Sequence, residues 1–121
     1  MGENRPDGDY FFGFMNVLKE KKEEYSLAVR LGGEMIGEIV FYNFGFCGEV
    51  EIGFRFFSEY QGKGYAAESV KAVIEYAFEK GFKKITCRHL KENARSNNLV
   101  LKLGFTFVRE DKTHRFYELK N

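Results

Sequence analysis

The chain has no tryptophan, one proline, two cysteines and no apolar run long enough to span a bilayer. Each shortage closes off a class of protein. Cys47 and Cys87 make neither a metal-ligand spacing nor a disulfide framework. The expectation is therefore two reduced thiols, no bound metal and a cytoplasmic setting. The apolar stretch from Tyr10 to Leu18 is interrupted by Gly13 and Asn16 and runs into "KEKKEE" rather than a small-residue cleavage site, unlike a secretory leader. Pro6 stands where a myristoylation signal after Gly2 wants Ser or Thr. Charge of one sign is also lacking. A formal net charge of +1 argues against a sequence-independent nucleic-acid binder, which needs a basic surface, and neither nucleic acid nor membrane is expected as a partner.

What remains fits one folded domain over residues 1–121, long enough for a real core. Aromatic residues reach 17%, and 14 phenylalanines dominate them, so ring packing carries much of that core. Phe11, Met15 and Leu18 recur at helical spacing and predict a short amphipathic helix from Tyr10 to about Lys21, with a solvated charged end. "YSLAVRL", the pair Gly32–Gly33 and "MIGEIVFYNF" read as a hairpin. "EVEIGFRF" alternates, with Val50, Ile52, Phe54 and Phe56 on one face and Glu49, Glu51, Gly53 and Arg55 on the other. Val70, Val73, Ile74, Ala77 and Phe78 form one helical stripe closed by Gly81. "KKITCRHL" reads as a strand, "ARSNNLVLKL" as a shorter helix, and "FTFVRE" with "RFYELK" as a final hairpin. The sum is α/β, with an antiparallel first half and a parallel step across "YQGKGYAAESV".

That step raises the functional question. Gly62 and Gly64 sit between a strand and a helix N-terminus, where exposed N–H groups and the helix dipole favour an anion. A plain tight turn needing positive φ explains the glycines equally well. The P-loop pattern fails, because Lys63 is followed by Gly64 and Phe57 stands in place of the first glycine. Gly62, Gly64 and Ala67 match the dinucleotide pattern literally. However, "SEYQ" separates them from the strand, the next strand ends in Arg88 and His89 rather than an acid, and no further βαβ unit follows.

A third pattern uses more of the chain. Gln61, Gly64 and Ala66 form Q-x-x-G-x-A, and Asn93, Ser96, Lys102, Gly104 and Phe105 form a second, downstream signature. Together they resemble the coenzyme-A loop and the following helix of the GNAT acetyltransferase superfamily, in its RimJ/RimL-like branch that acetylates ribosomal-protein N-termini. The resemblance covers roughly Ser26 to Lys120.

The resemblance implies acetyl transfer from acetyl-coenzyme A to a primary amine, with no metal. It assigns the pyrophosphate to the segment Gln61, Gly62, Lys63, Gly64, Tyr65 and Ala66, and the thioester carbonyl to an N–H near Phe54 to Phe56. It implies a strand that bulges and splays from its parallel neighbour, with Gly53 as the bulge. Glu51, with Glu49 second, is the candidate base, and plain solvated carboxylates are the alternative. A tyrosine acid common in the family is replaced by Val100, so Ser96 becomes the candidate partner of the leaving thiolate, against a plain helix-capping role. Asn93 either contacts coenzyme A or shapes its turn. His89 and His114 read as surface residues, and Tyr65 and Tyr76 as packing.

Relative to the resembled family the N-terminus is short, which leaves the amine acceptor undefined. The rival reading is a module that binds acetyl-coenzyme A or a partner protein without turnover. A short N-terminus also predicts that Tyr25–Leu31 is an exposed sheet edge, covered by the N-terminal helix of a second subunit in a homodimer.

Overall fold

The computed structural model describes residues 10–19 and 22–121. Seven strands form one sheet: β1 (Tyr10–Lys19), β2 (Lys22–Leu31), β3 (Glu34–Tyr42), β4 (Glu49–Phe56), β5 (Lys84–Leu90), β6 (Thr106–Glu110) and β7 (His114–Lys120), in the order β1-β2-β3-β4-β5-β7-β6. Helix α1 (Tyr65–Glu79) connects β4 to β5, and α2 (Ala94–Lys102) follows β5. Every adjacent pair is antiparallel except β4–β5. The mixed sheet and its single parallel step are those expected from the sequence.

The N-terminal segment departs from expectation. Tyr10–Lys19 is a strand, paired along its whole length with β2 from Tyr10↔Leu31 to Lys19↔Lys22. Phe11, Met15 and Leu18 satisfy a helical period, but aromatic residues suit a pleated surface and Gly13 weakens a helix. Within "KEKKEE", Lys22–Glu24 opens β2, while Glu20 and Lys21 lie outside the described residues. β1 covers the edge of β2, so the case for a second subunit at that edge loses its premise.

Alternation sorts the sheet into two faces. Leu27, Val29, Ile39, Phe41, Val50, Ile52, Phe56, Ile85, Cys87 and Tyr117 join one buried cluster with Val70, Val73, Ile74 and Ala77 of α1 and Val100 of α2. Both described helices thus pack on that face. Fully burying a valine or isoleucine side chain contributes about 2 kcal/mol, so this layer fixes the register of β4 and β5. The opposite row carries Ser26, Glu38, Tyr42, Glu51, Arg55 and Arg88, joined by hydrogen bonds rather than apolar contact. No described helix is long and apolar enough to cross a membrane.

Candidate active site

The parallel ladder of β4 and β5 is short. Its pairs are Glu49↔Lys84, Val50↔Ile85 and Glu51↔Thr86. Beyond them both strands continue, β4 to Phe56 and β5 to Leu90, without pairing to each other. On its other edge β4 stays in unbroken register with β3, including Val40↔Gly53 and Gly37↔Phe56. Gly53 is therefore not a bulge, which corrects that expectation. β5 pairs with β7 along its whole length, from Lys84 to Leu90, but with β4 only as far as Thr86.

The parting exposes backbone. Phe57 donates its N–H to the Ile36 carbonyl of β3 at 3.0 Å. Because successive residues of a strand direct their N–H groups to opposite edges, Phe54 and Phe56 direct theirs toward β5, into the gap. The Phe56 carbonyl there accepts Gln61 Nε2 at 2.9 Å. Gln61 therefore anchors the loop to the end of β4.

Gly62 and Gly64 have φ of +79° and +85°. A side chain at either would be strained, so the turn alone requires glycine. Space adds to this: a Cβ on Gly64 would meet nothing within 4 Å, and one on Gly62 would meet only Arg95 Nη1, at 3.8 Å. Gly64 is the N-cap of α1, and no side chain caps that terminus. A helix start with no side-chain acceptor suits an anion. Lys63 is exposed beside it, while Tyr65 packs against the core with its ring 6.3 Å from that of Tyr60.

Two neighbouring cavities, which share Gln61, Ala66, Arg95 and Leu99 in their walls, lie between this loop and the gap. The outer one, about 340 Å³, is lined by Gly62, Gly64 and Ala66 on one side and Arg95, Asn98 and Lys102 of α2 on the other. The inner one, about 200 Å³, is lined by Phe54, Phe56, Gln61, Ala66, Asn93, Arg95 and Ser96. A third cavity, about 330 Å³, opens on the opposite sheet face, between Glu24, Glu38, Tyr42, Gly53 and Arg55. Phe54 and Arg55 line both the second and the third, so the two faces meet at the parted strands.

The structure separates Asn93 from Ser96 in role. Asn93 caps α2, its side chain accepting the Ser96 N–H at 3.2 Å. The cap position is thus taken, and Ser96 lines the inner cavity. Asn97 locks the same helix down: its Nδ2 donates to the Leu90 and Asn93 carbonyls, and its Oδ1 accepts the buried Tyr117 hydroxyl at 2.5 Å.

Glu51 is buried, at 5% exposure, on the opposite face. Its carboxylate accepts Arg88 Nε at 2.7 Å and Nη2 at 3.1 Å, Asn43 Nδ2 at 2.9 Å and the Tyr42 hydroxyl at 3.1 Å. Burial pushes its carboxyl up, but these hydrogen bonds and the Arg88 charge outweigh it, and the net shift is downward. Tyr42 moves the other way, to about 12, through burial and the neighbouring Glu51 charge. Glu49 instead sits at the paired end of β4, 3.4 Å from Lys84 Nζ and away from all three cavities.

His89 is not a surface residue: it is 7% exposed on β5, its ring 5.2 Å from that of Phe54 across the gap. Three features escape the sequence reading: this burial, the Arg88 partner of Glu51, and Arg95, which lines both inner and outer cavities. Arg95 had a signal, being the one basic residue in the first turn of the helix after β5.

The comparisons agree with this architecture. A sequence model of the acetyltransferase (GNAT) domain matches residues 5–106. The uncharacterized N-acetyltransferase YnaD of Bacillus subtilis (strain 168) is 36% identical over 93 residues, which are 75% of this chain and 55% of YnaD. The chain thus spans about half the length of that relative. Among solved structures, a ribosomal-protein-S5-alanine acetyltransferase from Vibrio fischeri superposes with a TM-score of 0.77 at 22% identity, over 81% of this chain and 62% of that one. The microcin C7 self-immunity acetyltransferase MccE, in complex with acetyl-CoA and AMP, gives 0.71 at 18% identity, over 81% and 61%. Two spaced motifs, the parted parallel strands and a family match over most of its length place this chain in the GNAT acetyltransferase family.

Proposed function

We propose that the chain transfers an acetyl group from acetyl-coenzyme A to a primary amine, carried by a protein N-terminus or a small molecule, in the cytoplasm. The observation that carries this is the β4–β5 gap, in which the Phe54 and Phe56 N–H groups face a cavity that shares Gln61, Ala66 and Arg95 with the one at the Gly62–Gly64 loop. The fit to the cosubstrate rests on the open space at Gly64, the uncapped α1 terminus and two cations, Arg95 and Lys102, on the same cavity wall. The bound cosubstrate supplies an activated thioester.

The residues of the chain do the rest. Gly62, Gly64, Ala66 and the α1 terminus hold the phosphates by backbone N–H groups, and Arg95, Lys63 and Lys102 add charge. The Phe54 and Phe56 N–H groups take up negative charge developing on the carbonyl oxygen, with no reorganisation needed because β3 fixes their strand. Ser96 Oγ donates to the leaving thiolate. Asn93 acts through Ser96 and α2 by fixing the helix start.

The amine reaches the carbonyl from the cavity on the opposite face, whose lining includes Glu24, Tyr42 and the Glu38–Arg55 ion pair. Its proton passes to water. Glu51 works as the fixed carboxylate that orients Tyr42 and Arg88 at the mouth of the gap. With four hydrogen bonds accepted and a lowered pKa, it is a poor match as base for an amine of pKa about 8 to 10.

The test pairs binding with turnover. Calorimetric titration with acetyl-coenzyme A, NAD and ATP should give binding to the first alone. Thiol release in the presence of polyamines and of peptides with free N-termini should then identify an acceptor. Binding of NAD in place of acetyl-coenzyme A overturns the reading. Tight acetyl-coenzyme A binding without thiol release across that panel favours the non-catalytic module.

A further inference from the structure

The buried positions of α2 are Asn97 and Val100, at 4% and 0% exposure. Valine is an ordinary choice for such a stripe, and asparagine is not. Asparagine is a weak helix former, and its amide competes with the backbone inside a helix. Burying that amide is also costly unless its polar atoms are paired. Here each is paired. Nδ2 donates to the Leu90 carbonyl at 2.9 Å and to the Asn93 carbonyl at 2.7 Å, and Oδ1 accepts the hydroxyl of Tyr117, itself almost closed from solvent.

Neither carbonyl depends on this amide. The Leu90 carbonyl also accepts the Asn93 N–H at 2.9 Å, and the Asn93 carbonyl accepts the Asn97 backbone N–H at 3.1 Å. Asn97→Leu together with Tyr117→Phe would therefore leave no atom of this group unpaired. Replacing both partners of a buried hydrogen bond by apolar groups is often neutral for stability. Stability alone does not account for the polar pair, but its place does. Leu90 ends β5, Asn93 caps α2 and Tyr117 lies on β7, so one amide ties the first turn of α2 to two strands. Arg95 and Ser96, which line the inner cavity, stand on that turn. Apolar contact is non-directional and tolerates sliding, whereas hydrogen bonds fix direction as well as distance.

We propose that the Asn97–Tyr117 pair is a positioning device for the transfer step, holding α2 where the Ser96 hydroxyl meets the leaving sulfur. The inference rests on the acetyl-transfer reading above and on the part of Ser96 in it, and adds the pair that places Ser96. None of the three cavities is lined by Asn97 or Tyr117, so both act through their neighbour. A serine side chain is too short to make up a shift of its helix, whereas Arg95 reaches out on a long flexible one. A misplacement of about 1 Å is enough to disable a positioned group. Loss of the pair is therefore felt at the sulfur and not at the phosphates.

The thiol of bound coenzyme A reports this without an acceptor amine. A hydroxyl donating to the sulfur favours the thiolate and lowers the thiol pKa. That pKa is read by NMR titration of coenzyme A carrying ¹³C at the carbon bonded to sulfur, in complex with each protein. Ser96→Ala should raise it by about one unit, a tenfold loss in ionisation, and Asn97→Leu/Tyr117→Phe should raise it by a similar amount. Added to Ser96→Ala, the double substitution should raise it no further, because both act on one contact. Binding of 3′-phospho-ADP, which has the phosphates but no sulfur, should match the wild type throughout. Tyr117→Phe, which removes a single oxygen, takes the place of the double variant if that fails to fold, and should move the pKa in the same direction. An unmoved pKa in a folded variant of the pair, a further rise on top of Ser96→Ala, or lost 3′-phospho-ADP binding overturns the proposal. A wild-type chain that does not bind coenzyme A overturns the underlying reading instead. A Ser96→Ala variant with the wild-type thiol pKa removes Ser96 from that reading, and the proposal with it.

Discussion

Arg88 grips Glu51 with two nitrogens, at 2.7 and 3.1 Å, just past the point where the backbone ladder between their strands stops. The pair substitutes for missing main-chain bonds at the mouth of the gap. Arg88 is 43% exposed while Glu51 is 7% exposed by side chain, so loss of the arginine strands a buried carboxylate. Arg88→Met should destabilise the fold by about 2 kcal/mol in urea unfolding, and Glu51→Gln added to it should recover part of that loss. Kinetics bear on the role of Glu51. As a positioning carboxylate, Glu51→Gln lowers kcat less than about tenfold and leaves the pH profile of kcat/KM in place. A loss of about a hundredfold or more with a flattened profile would restore it as the base.

Gly64→Val tests the loop. The residue sits at φ +85°, with open space where a Cβ would go. A branched side chain there costs roughly 1–2 kcal/mol in backbone strain and closes the approach to the α1 terminus. Wild type at a hundredfold excess of acetyl-coenzyme A over Kd should gain about 2.7 kcal/mol, read as a rise of several degrees in Tm. The variant should melt lower and show no such rise. A ligand shift equal to wild type would remove the loop from the binding site.

Ser96→Ala and Asn93→Ala should part company. Asn93 supplies the cap of α2, so its loss costs about 1 kcal/mol of stability. Ser96 contributes only its backbone N–H to that cap, and the residue lines the inner cavity. Ser96→Ala should keep its Tm and its Kd for coenzyme A while kcat falls on the order of a hundredfold. A variant with unchanged kcat would leave Ser96 without a chemical role.

Legibility in the sequence followed the range of the interaction. The alternation of Val50 to Phe56 and the stripe through Val70, Val73, Ile74 and Ala77 are local periods, and each appears in the fold as read. The loop and the Asn93–Ser96 start of α2 are equally local. Tyr10–Lys19 misled because its apolar spacing fits both a helix and a strand, and the deciding partner, β2, lies outside any local window. Gly53 misled because a glycine in a strand suggests a bulge, whereas β4 keeps its register with β3 straight through it. The burial and pairing of Glu51 were not legible, because Arg88 lies 37 positions away along the chain. His89 was placed on the surface for want of a visible partner, although its spacing from Ile85 and Cys87 pointed inward.

The pH dependence of stability follows from His89 and Glu51 together. Burial lowers His89 from 6.5 to about 4, with the His114 charge adding to the shift and the Glu51 charge opposing it. Between those values the unfolded chain binds a proton that the native chain refuses. The contribution of His89 is therefore fully present above about pH 6.5 and is lost as pH falls toward 4, with a ceiling of about 3 kcal/mol. Glu51 acts lower: its native pKa is depressed below 4.5, so its contribution is present above 4.5 and is lost as pH falls through the native value. Urea midpoints of the wild type should be level from pH 7 to 8 and decline steadily from 6.5 downward. In His89→Leu the decline should begin only below about pH 4.5, since Glu51 and the other carboxylates remain. Identical midpoint curves for the two proteins between pH 4.5 and 6.5 would mean that His89 is hydrated and titrates normally in the fold.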